Sequence, residues 1–156
     1  MVQIHPPLPL LLSNLSASKL RKITEHTADA GIEVEAASLP EAFHEVSLAF
    51  TEIVTGGNLP QSKRSHVIEL ESTELDSLLV KFVSELIFLF DTEDFLVGSA
   101  KVEIKVDPLF ILKGILFGDT YNQSEHGYGV EIKAVSYHLL EVISGPPSKI
   151  KVILDL

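Results

Sequence analysis

The sequence predicts an α+β fold in which two helices pack on mostly antiparallel β-sheet, and three observations predict it. Apolar residues recur with helical and period-2 spacing in the order strand, helix, strand, helix, then four strands. The last four strands are joined in pairs across short Pro- and Gly-containing turns, the pattern of hairpins. A chain of 156 residues, 46% of them apolar, has the size and hydrophobic content of one core. The first strand–helix stretch weakly resembles the next, so an internal structural duplication is a further expectation.

Residues 1–20 are rich in Pro, then in Ser, Asn and Leu, without either period, and are read as an N-terminal extension to a single domain over residues 21–156. From Gly31, Ile32, Val34 and Ala36 alternate with Glu33 and Glu35, which gives a short strand with an acidic face. Ser38 and Glu41 form a capping box with Pro40 in the first turn. Leu39, Ala42, Phe43, Val46, Ala49, Phe50 and Ile53 then make one apolar stripe, and Gly56-Gly57 ends the helix. Val67 to Glu71 alternates again as a strand, with Ile68 and Leu70 on one side.

The second helix opens near Ser72 or Thr73. Its apolar positions from Leu75 through Leu78, Leu79, Phe82, Val83, Leu86 and Leu89 to Phe90 are wider than one stripe, so it is the predicted central helix. Val102, Ile104 and Val106 mark a strand that Pro108 separates from Leu109–Phe117, as in a hairpin. Val130–Ile143 and Lys149–Leu156 are the last two strands, joined across Gly145-Pro146-Pro147.

Charge and composition exclude several function classes. Twelve Lys and Arg against 22 Asp and Glu leave a formal charge of -10, which repels a phosphate backbone over most of the surface and disfavours a strong direct grip on RNA or DNA. With no Cys there is no disulfide scaffold, thiolate metal site or cysteine nucleophile, and the expected compartment is the cytoplasm. Leu8–Leu12 is too short to span a bilayer, and the first basic residue, Lys19, comes too late for a secretory signal. No nucleophile elbow, Walker A sequence or dinucleotide fingerprint occurs.

Glu25-His26-Thr27-Ala28-Asp29-Ala30-Gly31 puts two carboxylates, an imidazole and a hydroxyl just before a strand. A turn capped by Asp29 or Thr27 explains it without function. The alternative is a site of oxygen ligands, to which the C terminus contributes. Ile150, Val152, Leu154 and Leu156 share one strand face, so Asp155 points off the core beside the terminal carboxylate. If Asp29 and Asp155 come within about 4 Å, they repel by about 4 kcal/mol at an effective dielectric near 20. A proton, a lysine or a hard cation must then compensate, and carboxylates with backbone carbonyls are the ligand set of calcium or magnesium.

Alternation from Glu131 to His138 makes Lys133 a mid-strand lysine, read either as an edge-strand charge or as a cation that holds an acidic partner or a phosphate. His44, His66, His126 and His138 lack metal-ligand spacing and are read as structural. Phe88-Leu89-Phe90-Asp91-Thr92-Glu93 is read as core packing before a partner-binding patch.

Taken together, five segments resemble the archease family in residues, order and spacing, over about residues 22–156. They are Glu25-His26-Thr27-Ala28-Asp29, Leu39-Pro40-Glu41-Ala42-Phe43, Leu78-Leu79-Val80 through Ser84-Glu85-Leu86, Ile132-Lys133-Ala134-Val135-Ser136-Tyr137-His138, and Ile153-Leu154-Asp155-Leu156. The resemblance implies a protein that is not itself the catalyst but an accessory to the GTP- and manganese-dependent RNA ligase that joins tRNA exon halves, helping it become guanylylated and turn over repeatedly. It maps an acidic metal site onto Asp29, Asp155 and the carbonyl or carboxylate of Leu156, and the functionally important lysine onto Lys133; His26 joins Lys133 as a partner-facing candidate. The implied cofactor is a divalent cation, calcium or magnesium, with manganese at the ligase interface. Phe82, Ser84 and Ser136 stand where the family usually has Trp, Asn and Thr, away from the acidic residues. Competing readings are a stand-alone metal-dependent phosphoesterase and a chaperone-like interaction module.

Overall fold

Period-2 alternation sorts the strands into two antiparallel sheets, and the computed structural model describes them over residues 19–156. The extension proposed for residues 1–20 lies, up to residue 18, outside the described residues. The chain runs β1 (Leu20–Glu25), β2 (Asp29–Ala36), α1 (Leu39–Thr55), β3 (Arg64–Ser72), α2 (Leu75–Glu93), β4 (Phe95–Val106), β5 (Phe110–Thr120), α3 (Gln123–His126), β6 (Ala134–Ile143) and β7 (Ser148–Asp155). One sheet has the order β1-β2-β7-β6 and the other β3-β5-β4, which is the α+β architecture expected. The β4–β5 hairpin forms as read, although β4 starts at Phe95, before the alternation becomes visible.

The Ser38 half of the capping box forms. Ser38 accepts from the Glu41 N–H at 3.3 Å, Pro40 sits in the first turn, and Gly56 at φ 84 closes α1 by donating to the Glu52 carbonyl at 2.9 Å. The predicted central helix is the wrong one, however. α2 buries six residues along its core face, whereas α1 is buried almost all round from Glu45 to Thr55 and touches strands of both sheets. Its polar residues are satisfied internally: Thr51 donates to the Val97 carbonyl at 2.6 Å and Thr55 to the Asn58 carbonyl at 2.6 Å. Phe43 and Phe82 meet edge-on, ring centres 5.3 Å apart, and join the two helices in one hydrophobic core. Neither helix is long and apolar enough to cross a membrane.

β1 is absent from the sequence reading because its inward face is not apolar. Ile23 is buried, but Arg21 opposite Val34 also turns inward and meets α1. Its guanidinium donates to Glu52 at 2.7 and 3.1 Å and to Glu45 at 2.6 Å, with both glutamates buried. The Glu52 hydrogen bonds raise the Arg21 pKa further, against the cost of burial. Burial pushes the Glu45 carboxyl up, but hydrogen bonds from His44 and Arg21 outweigh it and hold Glu45 below the usual carboxylate range.

Gly118 faces the Leu96 carbonyl where β4 bulges between Val97 and Ser99, and a Cβ there would strike that backbone oxygen. Gly118→Ala is expected to destabilise by about 1–3 kcal/mol through displacement of β4, read as a lower thermal midpoint; an unchanged midpoint would show that the bulge yields.

Candidate functional site

The hairpin joining β1 to β2 turns tightly. The His26 N–H donates to the Asp29 carbonyl at 2.8 Å, leaving Thr27 and Ala28 as a two-residue loop. Continuing the register one step past Glu25–Ala30 sets His26 opposite Asp29, so the two residues share the outer face of the sheet. Across the next ladder Asp29 is paired with Asp155, and Asp155 with Ala134 on β6. The turn residues and the chain end thus form one row at the tip of the sheet.

Hydrogen bonding fixes the kind of pair that Asp29 and Asp155 make. The Leu156 N–H donates to the Ala28 carbonyl at 3.0 Å, which places the two aspartates at a non-hydrogen-bonded position. Residues there have Cα atoms about 4.5 Å apart and side chains at their closest. Asp155 is exposed and Asp29 half-buried. Among the described residues neither carboxylate has a Lys, Arg or His nitrogen at salt-bridge distance. Lys151, two rows away, is turned to Glu33 at 3.9 Å. This donor set is all oxygen, with no thiolate, and its chemistry fits a hard cation.

Lys133 is not in a strand, as alternation suggested. Val130 donates to the Ile53 carbonyl at 3.0 Å and Gly129 to the Val54 carbonyl at 2.7 Å, so this stretch satisfies the last turn of α1 and pairing with β7 begins only at Ala134. Lys133 is exposed, and its own N–H donates to the Asp155 carbonyl at 2.8 Å, which holds its backbone beside the aspartate pair. Leu156 lies just past β7, half-buried against the core, so the last residue is anchored.

A second cluster escapes sequence reading because α3 is one turn long and has no period. Ligand atoms of Asp119, Glu125 and His126 all lie within 4.8 Å of one another. The Nδ1 of buried His126 accepts the Asn122 N–H at 3.0 Å, so the neutral ring carries its proton on Nε2 and offers no lone pair there. That nitrogen lies 3.9 and 3.8 Å from carboxylate oxygens of Asp119 and Glu125, beyond hydrogen-bond reach, and with Nδ1 occupied by the Asn122 N–H the cluster reads as packing around α3. Of the other histidines read as structural, His44 lies 3.5 Å from Glu45 and His66 packs edge-on against Phe95, whereas His138 is exposed. In the stretch read as core, Leu89 is buried and Phe90 packs against the core, but Phe88 points to solvent at 56% exposure.

Two antiparallel sheets sharing α1 and α2, with paired aspartates where the chain terminus meets the first hairpin, define a small α+β protein carrying an acidic tip. The Archease protein family (MTH1598/TM1083) matches residues 22–156, and the chain belongs to that family. It is 36% identical over 121 residues to the protein archease of Pyrobaculum neutrophilum, covering 76% of this chain and 82% of that one. It is also 36% identical over 119 residues to protein archease of Pyrococcus furiosus, covering 76% and 84%. The solution structure of Methanobacterium thermoautotrophicum protein 1598 superposes with a TM-score of 0.71 at 30% identity, over 87% of this chain and 98% of that one.

Proposed function

We propose that this protein is an accessory factor for a GTP- and manganese-dependent RNA ligase of the tRNA-splicing type. It promotes guanylylation and repeated turnover and does not itself join RNA. The observation that carries this reading is the direct opposition of Asp29 and Asp155 at an exposed sheet end, with no Lys, Arg or His nitrogen of the described residues at salt-bridge distance from either. Two carboxylates and the carbonyl or carboxylate of Leu156 form an incomplete shell, which suits an exchangeable divalent ion or one that a partner completes. Calcium or magnesium fits these oxygens, and manganese is the ion of the ligase interface. Lys133 and His26 flank the pair and face the partner. A charge of -10 repels free RNA but complements the basic channel of an RNA-binding enzyme, in the cytoplasm.

Ligation with the cognate ligase held below the RNA concentration tests this. Product is expected to continue past one equivalent of ligase when the protein is present and to stall without it. Equal stalling in both reactions would contradict the reading, and phosphoester hydrolysis by the isolated chain would favour an enzyme instead.

A further inference from the structure

The β6 edge carries a feature that neither the aspartate pair nor the core requires. From Ser136 to Glu141 β6 takes five steps while β7 takes two, from Ile153 to Lys151, so three residues of β6 are extra and loop out of the ladder. The loop is built rather than slack, since the Ser136 hydroxyl accepts the His138 N–H at 3.0 Å. Leu139 sits at its crest with φ 57, a left-handed conformation that a leucine seldom adopts. Leu140 packs against the core, while Tyr137 and Leu139 stand 62% and 69% exposed. Strained backbone that holds two large apolar side chains in water is a departure from what folding alone would select.

Position says what it serves. Ala134, at the start of the same strand, is the β6 member of the row containing Asp29 and Asp155, and Tyr137 is three residues on, about 10 Å at strand rise. Resting on the function proposed above, we infer that the Tyr137–Leu139 knuckle docks into an apolar pocket with a basic rim on the ligase polypeptide, and so aims the acidic tip. Charge selects a protein over RNA: the chain carries a formal charge of -10, and the tip beside the knuckle presents Asp29 and Asp155 without an ion-pair partner among the described residues, which an RNA strand would avoid and a basic protein rim would complement. Tyr and Leu supply the buried centre of such a contact, and the acidic groups its polar border.

The test compares the native chain with Leu139→Asn, because asparagine accepts the left-handed conformation and leaves the knuckle's backbone in place. A thermal melt checks the fold, and its midpoint is expected to be unchanged. Anisotropy of the labelled chain titrated with ligase, without RNA, is expected to show binding weakened about tenfold. In ligation, the concentration for half-maximal stimulation is expected to rise by the same factor at an unchanged plateau, whereas Asp29→Asn lowers the plateau. A folded Leu139→Asn that binds as tightly as the native chain overturns the docking inference and leaves the proposed function standing. Native binding without stimulation overturns the function and leaves the docking contact. A native dimer that Leu139→Asn dissolves, or an RNA affinity that it removes, assigns the knuckle to another occupant and also overturns the inference.

Discussion

Arg21→Met is expected to lower the thermal midpoint by about 10 °C at pH 7. The guanidinium is the cation that meets both Glu45 and Glu52, and both carboxylates are buried. Removing it while they stay ionised leaves buried charge without its partner, at a cost of about 3–5 kcal/mol. At roughly 2–4 °C per kcal/mol for a chain of this size, that gives the stated shift. The pH dependence carries the sign. In the native chain Glu45 is held below its ordinary value of 4.5, so its contribution is present above pH 4.5 and is lost as the pH falls through the folded-state value. In Arg21→Met, burial is opposed by His44 alone, so Glu45 takes up its proton at a higher pH than in the native chain and the variant's deficit is expected to narrow between pH 7 and pH 4. A deficit that stays constant or widens on acidification would contradict the assignment.

Calcium in hundredfold excess over its dissociation constant is expected to raise the native midpoint by about 5–10 °C, and Asp29→Asn or Asp155→Asn to abolish the rise. Binding to the folded state alone stabilises by about 2.7 kcal/mol at that excess. Without the ion either variant is expected to be no less stable than the native chain, because the amide relieves repulsion between directly opposed carboxylates. Deleting Asp155 and Leu156 is a poorer probe than the end of a strand suggests. Leu156 bonds Ala28 and packs against the core, and the Asp155 carbonyl accepts from Lys133. Loss of those two hydrogen bonds alone costs about 1–3 kcal/mol.

α1, α2 and the later strands are legible in the sequence because apolar periods run along them, with capping residues at Ser38–Glu41 marking the start of α1. β1 is not, because its inward positions include Arg21, and a pattern read by polarity turns that residue to solvent. The same fault misplaced the central helix: Glu45, Ser47, Thr51, Glu52 and Thr55 look like a solvated face, yet all are buried, with their polar groups satisfied within the protein. Asp155 is legible as off the core, since alternation in β7 fixes its face. Its pairing with Asp29 is a register across 126 positions of sequence, which no local pattern carries. Lys133 continues the alternation in letters, but its neighbours spend their N–H groups on the end of α1, and its place beside Asp155 comes from one backbone hydrogen bond. The knuckle at Leu139 is invisible because extra residues in a bulge have no compositional mark.

The most direct measurement of the central claim is a multiple-turnover ligation time course with GTP and manganese, in which native protein and Asp29→Ala, both shown to be folded, are compared at equal concentration. Continued product is expected with the native chain, and a stall after the first turnover with Asp29→Ala. Equal stimulation by both would contradict that claim, because the acidic tip would then take no part in activation.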